Sequence, residues 1–283
     1  MNAVMDNRLV KAFHKRTGGF MNGNLDLHHV IDIAHPALDS AACRARVCSI
    51  KRVILLGFLI TITTSGSCNS ETLFSSNFDA TATNQQPSTT QAVGTASFDG
   101  SPESVLVVAA PPDAAPPAKW LQINCKSGIT GQACSFQGKL VQFKGNGTYV
   151  FSSEMFMPEN TGVATIQFEP FNQPVSTPSG FLHLDFMPDN RVRIDDDENT
   201  KFGTFPRNKP FLVQVTLNIN DTSPNARIIL SGDGASGQAD RNVLPPFIPQ
   251  ARQFGAVRIW MGFGLNHTGA FLASTVVVTR KTS

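Results

Sequence analysis

The sequence predicts an all-β protein, a sandwich or barrel of short antiparallel strands. Two observations carry this. Apolar and polar residues alternate with period two in many short runs, and turn-forming Gly, Pro, Asn and Asp punctuate the chain at intervals of roughly ten residues. Past residue 68, no stretch shows a helical period.

The clearest run is residues 181–195, FLHLDFMPDNRVRID. Leu182, Leu184 and Phe186 alternate with His183 and Asp185. Met187-Pro188-Asp189-Asn190 then supplies a turn, and Val192 and Ile194 alternate with Arg191 and Arg193. Alternation on both sides of such a turn predicts a β-hairpin with one apolar and one polar face.

In chain order, residues 69–76 read as a short tether, and residues 80–95, polar and interrupted by Pro87, as a surface loop. Residues 104–109 form a strand that ends at the Pro-rich 111–117, which cannot hold a ladder. Residues 120–123 and 136–143 are further strands. The pattern is regular from Gly147: strands at 149–157 and 163–169, a loop at 170–180, then the hairpin. An acidic turn at 195–199 leads into 201–205. Residues 211–219, FLVQVTLNI, pair with 226–230, a Gly/Pro-rich loop follows at 232–253, and strands at 255–262 and 271–279 close the chain.

The 283 residues are 41% hydrophobic, and mean hydropathy is −0.07, enough apolar material for one sizeable core. Phe dominates the aromatics, 21 against 2 Trp and 1 Tyr, and lacks a polar handle, so most of these rings belong in the core. The formal charge of +2 averages two unlike segments. Residues 1–68 hold 8 Lys and Arg against 4 Asp and Glu, leaving 15 against 17 for residues 69–283. The folded part is therefore mildly acidic, and a nucleic-acid partner has no electrostatic rationale.

Lys51-Arg52, the apolar run 53–62 and the small residues 63–67 before Cys68 have the layout of a secretory signal, too short to span a membrane. Ser65-Gly66-Ser67-Cys68 resembles the bacterial lipobox, with Ser65 in place of the usual Leu. That resemblance implies lipidation at Cys68 and a place in the cell envelope, at the outer membrane or surface. An ordinary cleavage site near Cys68 is the other reading. Residues 1–50 sit upstream of where a signal should begin. They hold four of the six His (His14, His28, His29, His35) without ligand spacing, and read as an unfolded extension created by a start codon placed too early. A single domain over 69–283 follows. Its two remaining thiols, Cys125 and Cys134, read as a disulfide closing a β-loop in an exported protein; two thiols with no nearby His make a metal site the poorer reading.

Residues 71–283 resemble the concanavalin A-like lectin and glucanase jelly roll. The carriers are Phe74 and Phe78, YVFSSEMFMPENTGVATIQFE, the FLHLDF…RVRID hairpin, KPFLVQVTLNI followed by ARIILSG, and the closing TVVVTRK. The resemblance implies a jelly-roll sandwich of two antiparallel sheets with a glycan face, behind a disordered or helical leader. It does not settle activity, because the fold hosts lectins, hydrolases, lyases and adhesins. The Glu-x-Asp-x-Glu strand of the glucanases is absent. The lyase set of Arg-x-Glu-x-Arg, Gln-x-His and Tyr-x-Lys is only echoed by Gln167-Phe168-Glu169 and His183.

Alternation assigns Gln167, Glu169, His183, Asp185, Arg191, Arg193, Gln214, Arg258 and Trp260 to polar faces. If their strands are neighbours, they make one surface suited to sugars: amides, carboxylates and guanidinium groups for hydroxyls, and an indole for a pyranose ring. A solvated sandwich face with cross-strand Asp/Arg pairs explains the same pattern, and Trp260 fits a core as well. An atypical lyase or hydrolase would draw on Glu154, Glu169, His183, Asp185 and Arg193. A structural surface lipoprotein with no small ligand is the remaining reading. Asp195 and Asp197 are candidate Ca²⁺ ligands, although the ligand spacing of a calcium loop is missing. No other cofactor is expected.

Overall fold

The computed structural model describes residues 69–125, 133–170, 180–243, 253–261 and 269–282. The readings made for residues 1–68, Cys68 included, lie outside them.

Sixteen strands and one 3₁₀ turn are present among the described residues. In chain order they are β1 (Ser70–Ser75), β2 (Thr95–Asp99), β3 (Val105–Ala109), β4 (Lys119–Cys125), β5 (Cys134–Lys144), β6 (Gly147–Phe156), β7 (Ala164–Pro170) and β8 (Leu182–Phe186). There follow β9 (Val192–Ile194), β10 (Asp197–Phe202), β11 (Pro210–Ile219), β12 (Asn225–Gly232), β13 (Ala235–Asn242), β14 (Phe254–Met261), β15 (Gly269–Ala273) and β16 (Val277–Lys281). Nine of them form one antiparallel sheet in the order β13-β12-β11-β6-β15-β4-β3, with β16 also beside β6 and β1 beside β16. The other seven form the second, in the order β10-β9-β8-β7-β14-β5-β2. The chain passes repeatedly between the sheets, and its first strand pairs with its last, as in a jelly-roll sandwich.

Each sheet turns a dry face to the other. On the seven-stranded sheet one apolar row runs Phe98, Phe136, Ile259, Ile166, Leu184, Ile194, and the next runs Ala96, Gly138, Val257, Phe168, Leu182. On the nine-stranded sheet the row Phe74, Val278, Phe151, Val215, Ile228, Ala239 lies on the inner side. Ten of the twelve largest fully buried side chains are Phe, as the composition implied. Burying each contributes about 1.5–3 kcal/mol. Most of their rings meet edge-on or tilted, as between Phe151 and Phe168 at 5.4 Å and between Phe186 and Phe211 at 5.9 Å, while Phe205 and Phe211 stack at 5.3 Å. Cys125 at the end of β4 and Cys134 at the start of β5 form the expected disulfide, which ties the two sheets together.

The hairpin at 181–195 forms as read, with Leu184 opposite Ile194, Asp185 opposite Arg193 and Phe186 opposite Val192. Asn190 takes a left-handed φ of 64° in its turn, a conformation Asn tolerates better than most residues.

Other elements depart from the sequence reading. The supposed tether at 69–76 is β1, held by its antiparallel ladder to β16. The supposed loop at 232–253 contains β13, ASGQADRN, a polar edge strand with no apolar alternation to betray it. Strand β2 was missed for a similar reason, being short and rich in small residues. The strand expected over 271–279 is two, β15 and β16, because the ladder breaks at Ser274. There the Ser274 amide donates to the Glu154 carbonyl (2.8 Å), and the Glu154 amide donates to Ser274 Oγ (2.9 Å).

Gly138 is a point of close approach between the two sheets. A Cβ there would stand 2.6 Å from the Phe74 ring, which is fully buried and has no room to retreat. Gly138→Ala should therefore destabilise the fold by about 1–3 kcal/mol, as overpacking does, read from the midpoint of urea unfolding. An unchanged midpoint would contradict this contact.

Candidate ligand-binding face

On the seven-stranded sheet every second residue points away from the core, and the register stacks these residues in three rows. The first is Asp99, Ser135, Trp260, Thr165, Asp185 and Arg193, contributed by β2, β5, β14, β7, β8 and β9. The second is Ser97, Gln137, Arg258, Gln167 and His183, and the third is Thr95, Lys139, Ala256 and Glu169. The surface imagined from alternation thus exists, with β7, β8 and β14 at its centre.

It is not a solvated face. Gln167 is 1% exposed, Asp185 3%, Glu169 and Arg258 6%, and His183 8%. Buried polar groups on this scale need partners. Most have them. Arg258 NH1 donates to Asp99 Oδ2 (3.0 Å), its Nε stands 3.0 Å from Glu169 Oε1, and Gln137 donates to Glu169 Oε2. Ser135 Oγ also donates to Asp99 Oδ2 (2.7 Å), and Ser97 Oγ donates to Gln137 Oε1 (3.0 Å). On the other side, Thr165 Oγ1 donates to Asp185 Oδ1 (2.7 Å), and Arg193 holds Asp185 Oδ2 through Nε (3.2 Å) and NH2 (2.9 Å). Arg193 reaches Asp196 (2.9 Å) and Glu198 (2.7 Å) as well.

Three polar atoms between these two networks have no hydrogen-bond partner among the described residues: Gln167 Oε1, His183 Nε2 and Trp260 Nε1. Gln167 and His183 are opposite one another on β7 and β8, and the His183 and Trp260 rings lie 6.2 Å apart, tilted by 59°. On the far side of the imidazole, Nδ1 is 3.7 Å from Asp196 Oδ2. The trio offers an acceptor, an N–H donor and a nitrogen able to play either part. A buried polar group left unpaired costs about 1–3 kcal/mol, so a group that both donates and accepts, a ligand hydroxyl or a bound water, is the complement of this trio.

Burial raises the Glu169 carboxyl above the ordinary glutamate range, against the opposing pull of Arg258 and Gln137. Asp185 is likewise raised by burial, against its hydrogen bonds from Thr165 and Arg193.

Not every sequence candidate belongs here. Gln214 is on β11, opposite Ser152 and Ile229, and Glu154 is on β6, opposite Leu212; both strands lie in the nine-stranded sheet. The outer faces of the two sheets point in opposite directions, so neither residue can join the cluster. Arg191 precedes β9 and donates to the Lys201 carbonyl (2.9 Å) near the sheet edge, away from the trio. Asp195 Oδ1 accepts from the His183 amide (3.0 Å), and Asp197 Oδ1 accepts from the Asn199 backbone and side chain (3.0 and 3.1 Å). No cluster of three or more His, Cys, Asp or Glu placed to hold a metal occurs among the described residues. Trp260, which fitted a core equally well, is half-buried on the polar side. Sequence reasoning missed Asp99, Ser135 and Gln137; the alternation of Ser97 and Asp99 about Phe98, and of Ser135 and Gln137 about Phe136, was their only trace.

No family model matches the chain, and no curated protein matches it. Among solved structures it is similar to the alginate lyase Aly36B, at 12% identity and a TM-score of 0.46, over 75% of this chain and 96% of that one. It is also similar to lectin I from Ulex europaeus in complex with the methyl glycoside of α-L-fucose, at 12% identity and a TM-score of 0.45, over 75% and 98%. A carbohydrate esterase from the Shiga toxin-encoding bacteriophage phi24B shares 10% identity with a TM-score of 0.46, over 76% and 100%.

The raised Glu169 carboxyl has a pH signature. As pH rises through the ordinary glutamate range the unfolded chain releases its proton first. Glu169 therefore lowers stability progressively until the folded carboxyl also ionises, beyond which its effect is constant. Urea unfolding measured across this range should show a falling component in the wild type that is absent in Glu169→Gln. Equal pH slopes in the two proteins would exclude the assignment.

Proposed function

We propose that this chain is an exported glycan-binding protein whose ligand lies on the outer face of the seven-stranded sheet, against Gln167, His183 and Trp260. The observation that carries this reading is the set of three unpartnered polar atoms on adjacent strands, beside a half-buried indole. A sugar matches both features. Its hydroxyls complete the hydrogen bonds of the amide, imidazole and indole N–H, and its apolar ring face packs on the indole. A lyase reading is less favoured, because Arg193 and Arg258 are both engaged by carboxylates and neither guanidinium is free to meet a reacting sugar carboxylate. A hydrolase reading is less favoured because Glu169 and Asp185 are themselves bound to those arginines.

Export is supported by the Cys125–Cys134 disulfide, a bond that persists in oxidising compartments. The signal-like residues 51–68 agree, and we assign Cys68 as the lipid-bearing residue that anchors the domain at the cell envelope.

A glycan array probed with residues 69–283 should return hits, and Trp260→Ala and Gln167→Ala should each weaken the best of them at least tenfold by calorimetry. No hit, or hits that both variants keep, would leave a structural envelope protein as the better reading. For the anchor, cells fed labelled palmitate should label the wild-type protein and not Cys68→Ser; label retained in the variant would sink this assignment.

A further inference from the structure

The ligand-binding reading says nothing of the ligand's charge, but the groups around the trio do. Five carboxylates surround two guanidinium groups: Glu169 and Asp99 hold Arg258, and Asp185, Asp196 and Glu198 hold Arg193. The clusters flank the trio, with Arg258 in the second row and Arg193 in the first, while Glu169 stands in the third. Glu169, Asp185 and Arg258 are themselves more than nine-tenths buried. An anionic ligand group here would have to break the buried Arg258–Glu169 pair or the Arg193–Asp185 pair to gain a partner, and would also meet the excess carboxylates. A cationic one would have to compete with the two guanidinium groups for the same carboxylates. Lys139 is a cation of this face with no carboxylate partner among the described residues, and Arg191, near the sheet edge, is held by the Lys201 carbonyl. Lys139 is exposed and stands beside Ala256 in the third row, outside the rows that hold Gln167, His183 and Trp260.

Resting on the glycan reading of this site, we infer that its ligand is an uncharged sugar, and that Glu169 and Asp99 act as specificity determinants by keeping Arg258 occupied. An uncharged hydroxylated ring needs only what the trio leaves open. A uronate or sulfated sugar would need the Arg258 guanidinium, which these two carboxylates withhold.

The test is a panel of neutral polysaccharides, uronate polymers, sulfated polymers and a polymer of glucosamine, probed with wild-type residues 69–283, Asp99→Asn and Asp99→Asn/Glu169→Gln. Asp99 is half exposed, so the single variant keeps a folded protein available should the buried substitution not be tolerated. Wild-type protein should bind only neutral polymers, with affinity changing less than twofold between low and high salt, since no charge is exchanged with the ligand. The single variant should begin to retain uronate polymers, and the double variant should bind them at least tenfold more tightly than the wild type does, in a salt-sensitive manner. Wild-type binding to charged polymers through this face would overturn the inference and leave the glycan reading standing. Variants that gain nothing for anions would remove Glu169 and Asp99 as determinants. Failure of every polymer to bind would remove the glycan reading itself, and this inference with it.

Discussion

The register between β7 and β14 is the constraint on which both the core and the candidate site depend. Ile166 opposite Ile259 and Phe168 opposite Val257 place the dry side chains inward, while Thr165 opposite Trp260 and Gln167 opposite Arg258 place the polar ones outward. A slip of one residue would exchange the two sets, burying Arg258 in a Phe-rich interior and exposing Ile259. The facing sheet enforces this choice. Phe74 and Phe151 on the nine-stranded sheet need apolar partners across the interface, and they find Gly138 and Phe168. The backbone course that packs the core thus also assembles three polar rows across strands far apart in sequence.

Those rows behave differently from an ordinary outer face. Polar side chains on a sandwich surface are usually hydrated, and their pairs contribute little. Here the central groups are dry, so each charge must be answered locally, and two arginines bridge five carboxylates to do so. The answer is incomplete in one place, between the networks, where an amide oxygen, an imidazole nitrogen and an indole N–H have no partner among the described residues. Unpaired groups of this kind suit something polar and uncharged, since both guanidinium groups nearby are already held by carboxylates. Burial also drives Glu169 and Asp185 upward, which makes the face sensitive to acidity without placing a free base in it.

Much of this was legible in the chain. Alternation identified the hairpin, the long strands β6 and β11, and the polar assignments of Gln167, His183, Asp185, Arg193 and Arg258, because period two is a local property that each strand carries alone. The two thiols sufficient for one bridge announced the disulfide. What escaped was either too short or too polar to alternate, as with β2 and β13. β1 and the split between β15 and β16 depend instead on ladders to partners distant in sequence. Asp99 and Gln137 were invisible as site residues, since nothing near them in sequence says which strands they will lie beside.

The sequence by itself determined the fold class, the two faces of the strands that alternate and the thiols that would pair. Those properties follow from backbone pleat and from the chemistry of single segments. Only the tertiary structure decided which polar faces share a surface. It put Gln214 and Glu154 behind the opposite sheet, Arg191 near an edge, and Gln167, His183 and Trp260 together. The physical reason is that neighbours in a sheet are chosen by non-local hydrogen bonding and by the demand that both dry faces meet, and neither is written in any one strand.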